Sequence, residues 1–106
     1  MPKYLINATY TPDGAKGLLK DGGSARRTAV QKAIEGLGGT LDLFYFTFGE
    51  TDVVSICDMP DTVSGLALSL TVNASGAVRA SVTPLISVED IDAACKKTVG
   101  YRAPGA

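Results

Sequence analysis

The stretch LFYFTFGETDVVSI, residues 43–56, constrains the fold most, because it is apolar at both parities of an extended chain. Successive strand side chains point to opposite faces, so Leu43, Tyr45 and Thr47 go one way while Phe44, Phe46 and Phe48 go the other. Gly49, Glu50 and Thr51 interrupt the run as a turn, which makes the stretch a hairpin with strands near 40–48 and 52–58. Both of its faces need cover. Helices from a chain of 106 residues are expected to cover one face of such a sheet, so the other calls for a partner or a ligand.

The remaining periodicity supplies the elements around this hairpin. Residues 3–10, KYLINATY, alternate as a strand, and TPDG then turns the chain before a short helical turn through AKGLL. Val30, Ala33, Ile34 and Leu37 fall at i, i+3, i+4 and i+7, which predicts an amphipathic helix with Ser24 as its cap and Gly38 or Gly39 at its end. Val63, Leu66, Ala67 and Leu70 repeat that spacing after Pro60 and predict a second helix. Residues 77–86 alternate again until Pro84, which cannot donate to a ladder. Ser87 with Asp90 resembles a capping box for a short helix carrying Val88, Ile91, Ala94 and Cys95.

The order β-α-β-β-α-β plus a C-terminal helix is that of an α+β, ferredoxin-like fold, a four-stranded antiparallel sheet with helices on one face. It occupies one domain, residues 1–98, followed by a tail, residues 99–106. Strand parity places Ile6, Ala8, Val54, Ile56, Val78, Ala80 and Val82 towards the helices. Leu5, Asn7, Thr9, Val53, Ser55, Cys57, Arg79, Ser81 and Thr83 are then expected on the open face, which is apolar at the hairpin and polar elsewhere. A free sheet face does not ordinarily carry so apolar a strand, so the expected partner is a second copy packed face to face.

Charge and cysteine usage narrow the function classes. The net charge is -1, so no bulk attraction to nucleic acid follows, although residues 1–40 hold six bases and residues 41–78 hold five acids and no base. Cys57 and Cys95 have neither metal-ligand spacing nor the density of a disulfide scaffold, which points to free thiols in a reducing cytoplasm. No signal peptide or membrane-spanning run is evident, and a cytoplasmic protein is expected. The chain has no histidine, which removes histidine-based triads, the usual zinc sites and a proximal-histidine haem site. GAKG and DGG lack the spacing of a phosphate-binding loop, and Asp58 and Asp61 read as helix-start residues rather than metal ligands, so neither metal nor cofactor is expected.

At FYFTFGETDVVSI and its surroundings the sequence resembles the GYD-domain family, small bacterial proteins related to the dimeric α+β barrel superfamily. The likeness rests on the first strand ending in Tyr10-Thr11, the helix ARRTAVQKAIEGLGG leading into an aromatic strand, the Gly-x-Tyr-Asp hairpin signal and the DMPD segment before the second helix. Here that signal reads Gly49-Glu50-Thr51-Asp52, with Thr51 at the tyrosine position. The resemblance implies the same fold and a sheet-to-sheet dimer. The family has no established biochemical activity, and the wider superfamily spans cofactor-free monooxygenases, isomerases, haem-dependent enzymes and small-molecule sensing domains.

Three functions are compatible with these residues. In the first, a homodimeric binding or regulatory module holds a small molecule against Asn7, Phe44, Tyr45, Phe46 and Arg79, an apolar wall with a few polar groups. In the second, a cofactor-independent isomerase or monooxygenase-like enzyme uses Asp52 as base and Tyr10 or Arg79 to stabilise negative charge. In the third, the dimer acts only by associating with other proteins. Arg26 and Arg27 at the start of the first long helix are a further candidate, for an anionic ligand. Each candidate also has a structural role open to it: Asp52 beside a turn glycine can bind turn amides, tyrosines in strands pack, and Arg26 and Arg27 can be ordinary helix-surface charges.

Overall fold

The computed structural model describes residues 2–106. Strand β1 (Lys3–Tyr10) leads through α1 (Pro12–Asp21) and α2 (Gly23–Gly36) to the hairpin β2 (Thr40–Phe46) and β3 (Val53–Asp58). Helix α3 (Thr62–Ala74), β4 (Val78–Pro84) and α4 (Val88–Cys95) follow. The strands form one antiparallel sheet in the order β2-β3-β1-β4, the ferredoxin-like arrangement.

Local chemistry explains where the helices start and stop. Helix α1 is a full ten-residue helix rather than a single turn, because the Thr11 hydroxyl accepts from the Gly14 amide at 3.3 Å and Pro12 tolerates the first helical position. Gly22, at φ +83°, bends the chain directly into α2. Ser24 therefore lies inside the first turn instead of capping it, and its carbonyl accepts from Thr28 Oγ1 at 3.0 Å. At the other end Gly38 N–H donates to Glu35 O at 2.9 Å and Gly39 N–H to Ile34 O at 3.0 Å, the paired bonds of a Schellman stop. Asp61 caps α3 by accepting from Ser64 N at 2.8 Å, and Ser87 caps α4 by accepting from Asp90 N at 3.0 Å.

The core joins Tyr4, Ile6, Ile34, Cys57, Met59 and Leu68, with Ala8, Val53 and Val78 continuing it along the sheet. Two expectations about facing are overturned here. In β3 it is Val53, Ser55 and Cys57 that lie beneath the helices, while Val54 and Ile56 belong to the open face. Both parities of β3 are apolar, so alternation carries no information about the face. Register decides it: Ile6 pairs with Ser55 and Ala8 with Val53, setting a large side chain beside a small one across the ladder.

Helix α3 is turned as well, with Gly65 and Leu68 buried and Val63, Leu66 and Leu70 exposed at 73%, 57% and 71%. Residues Thr62–Ala74 contain no charge, so hydrophobic spacing could not choose the inner face. Gly65 chooses it, because a Cβ there would stand 3.0 Å from Cζ of Tyr4 and any side chain would lift the helix off the ring.

An irregularity between Leu41 and Leu43 aligns β2 so that Leu43 and Tyr45 pair with Ile56 and Val54 on the open side, and Phe44 and Phe46 pair with Ser55 and Val53 on the helical side. Phe48 lies beyond the strand in the hairpin loop, fully exposed, and does not extend the row of Phe44 and Phe46. Along the outer edge of β4, the Asn73 side chain accepts from Ala80 N at 2.8 Å and donates to Ala80 O at 3.0 Å. Beyond Pro84 the chain leaves the sheet. Every residue from Thr83 to Ala106 is exposed, and among the described residues no element is in extensive contact with α4.

Candidate functional site

The two faces of the sheet present different chemistry. On the helical side α2 lies over β2 and α3 over β4; Ile34 and Leu68 meet above Tyr4, Ile6 and Cys57, and further along the sheet the two helices leave a narrow cleft between them. Small residues produce this gap: Ala29 and Ala33 on α2 stand across from Thr71 on α3 and Ser75 at its C-terminal cap, each pair at four-residue spacing. The result is a cavity of about 250 Å³ floored by Ile6, Ala8, Val53 and Ser55. Phe44 and Val30 wall one side, Leu68 and Val72 the other. Arg26 is the one charged side chain in the lining, and Tyr10 closes the end nearest α1.

The open face divides into halves. Leu43 and Tyr45 of β2, Val54 and Ile56 of β3 and Leu5 of β1 share one apolar area through their cross-strand pairing. Asn7, Thr9, Arg79 and Ser81 occupy the other half and line a shallow polar depression that reaches the hairpin loop at Thr47 and Thr51. Near the start of β1, Lys3 bridges Asp42 at 2.6 Å and Asp58 at 3.0 Å, and these bonds raise the lysine pKa. Asp58, read from sequence as a helix-start residue, is thus an ion-pair partner of β1.

Of the binding residues expected from sequence, Asn7, Tyr45 and Arg79 lie on the open face, whereas Phe44 and Phe46 lie on the helical face in an edge-to-face pair with centroids 5.3 Å apart. The catalytic candidates are divided in the same way. Tyr10 borders the helix-side cavity and Arg79 the opposite face. Asp52 is committed to the backbone: its Oδ2 accepts from Tyr10 N at 2.9 Å, its amide donates to Ala8 O at 2.8 Å and its carbonyl accepts from Thr47 N at 2.8 Å. Val30, Leu68 and Val72 complete the cavity and were not among the expected binding residues. Their trace in the sequence is the set of small residues recurring every four positions beside them.

Comparison with known families decides the kinship of this architecture, since the GYD domain model matches residues 4–95 of the 106-residue chain. The chain belongs to the GYD domain family. Neither the curated proteins nor the solved structures gave a significant match. In this GYD domain the signature segment Gly49-Glu50-Thr51-Asp52 forms the loop joining β2 to β3, closed by the Thr47 hydroxyl donating to Thr51 O at 2.6 Å. Its aspartate ties the loop to β1, and Thr51 lies beside the polar depression.

Cys57 of the domain, expected on the open face, is fully buried on the helical side instead, and that burial pushes its thiol up to about 11. A thiol held neutral in this way acts as a small hydrophobe. Among the described residues no group of three or more Cys, Asp or Glu is placed to hold a metal ion, and no helix is long and apolar enough to cross a membrane.

Proposed function

We propose that this GYD domain is a homodimeric small-molecule-binding module. One observation carries the reading: the cavity between α2, α3 and the sheet has an apolar lining with a single charge, Arg26, among its walls. Binding sites for small molecules combine an apolar enclosure with a few placed polar groups, and here Ser55 on the floor and Arg26 supply them. At about 250 Å³ the space suits a ring with a short chain rather than a nucleotide or haem. An anionic or hydrogen-bonding end at Arg26 would orient it.

The dimer follows from the other face. Leu5, Leu43, Tyr45, Val54 and Ile56 form an apolar area that a second copy covers by face-to-face packing, with the sheets about 10 Å apart. Native mass spectrometry of protein purified from its own host tests both parts in one experiment. A dimer carrying a discrete excess mass that is lost on denaturation is expected, and Val72→Phe, which fills the cavity, removes the excess mass while leaving the dimer. A dimer without excess mass that also takes up no apolar fluorescent probe refutes the binding reading, and a monomer refutes the pairing.

A further inference from the structure

We infer that the C-terminal segment from Leu85 onward is an exchange arm whose helix α4 docks on the outer stripe of α3 in a second copy of this chain. Two apolar stripes of the same molecule lack partners. On α3, Val63, Leu66 and Leu70 point to solvent at i, i+3 and i+7 of a helix without a single charge. An uncharged helix with large apolar side chains on its outer as well as its inner side is normally covered on both. On α4, Val88 and Ile91 are 72% and 52% exposed, and Cys95 completes the same i, i+3, i+7 stripe. At 1.5 Å per residue each stripe runs about 10 Å, so the two match in length and pattern.

Path and charge select the occupant. Strand β4 ends where Pro84 pairs with Tyr4, and beyond it, among the described residues, α4 is in extensive contact with no element, its own α3 included. The molecule consequently measures 56 × 33 × 22 Å with a radius of gyration of 17.1 Å, against about 13 Å for a compact chain of 100 residues. Glu89, Asp90 and Asp92 of α4 meet no like charge along Thr62–Ala74 of α3, where the one neighbouring carboxylate is the cap Asp61. A two-fold exchange covers both stripes in both copies with one operation. It is independent of the sheet-face pairing proposed above.

Cys95 provides the test, because Cys57 is buried and leaves it the one exposed thiol. In full-length Val63→Cys or Leu70→Cys, the two end positions of the α3 stripe, oxidation under native conditions should form in one of them a disulfide between the introduced thiol and Cys95 that joins two chains. A disulfide within one chain, or none, overturns the inference. Sedimentation equilibrium of full-length Leu66→Asp, Ile91→Asp and the double variant supplies the second measurement, since both side chains are exposed in the single chain. Each single variant should weaken self-association at least tenfold, and the double should add little to either. Association unchanged by both overturns the exchange even if Tyr45→Lys on the open face abolishes it. The converse pattern leaves the exchange standing and rejects the sheet-face dimer.

Discussion

Asp52 shows how one carboxylate can fix the joint between a hairpin and the neighbouring strand. Removing it in Asp52→Ala leaves the Tyr10 amide without its acceptor, and urea titration should register a loss of about 1–2 kcal/mol. Its structural role was legible from its place beside a turn glycine, but the amide it serves lies 42 residues away and no local pattern identifies it. Cys57 was harder to read. Its side of the sheet depended on a register that the flanking valines and isoleucine leave open. Because folding raises its pKa from 9.0 to about 11, the folded state gains from the neutral thiol below pH 9, and that contribution is lost between pH 9 and about 11. Cys57→Ala should flatten stability across this window in alkaline urea melts. In a Cys95→Ser background, thiol reagents should leave the native chain unmodified until it is unfolded.

Among the elements, helix ends were the most readable from sequence and helix faces the least. Ser87 and Gly38 do what their residue types foretell, whereas Ser24 yields to Gly22, whose positive φ lets α2 begin two residues earlier. The face of α3 followed from Gly65 against Tyr4, a contact between distant parts of the chain, and not from its own hydrophobic spacing. Asp61 holds α3 through the Ser64 amide, and that backbone bond keeps its carboxyl below the usual range. The stabilisation is present above the ordinary carboxylate pKa of 3.8 and disappears as pH falls through the lower folded value. Asp61→Asn retains a capping oxygen, so its melting temperature at neutral pH should stay close to that of the parent while its acid decline below pH 4 becomes shallower.

For the whole molecule, four strands and their order were legible because the hairpin, the glycine stops and the terminal proline all agree. The cavity was not, since it arises from where two helices sit over the sheet rather than from any motif. Tyr45 lies on the edge strand β2, opposite Val54 in the apolar half of the open face, and is exposed in the single chain. Tyr45→Lys should therefore weaken face-to-face dimerisation at least tenfold by sedimentation, with the stability of the single chain changed by no more than about 0.5 kcal/mol. The side-chain amide of Asn73, laid along β4, has a consequence for the size of any assembly. It occupies the hydrogen-bonding groups of Ala80 that an incoming strand would use, and Pro84 offers no N–H further along. Lateral growth into a continuous ribbon is thus blocked on that side. Edge pairing of this sheet is then left to β2, and pairing through one edge joins two sheets and stops.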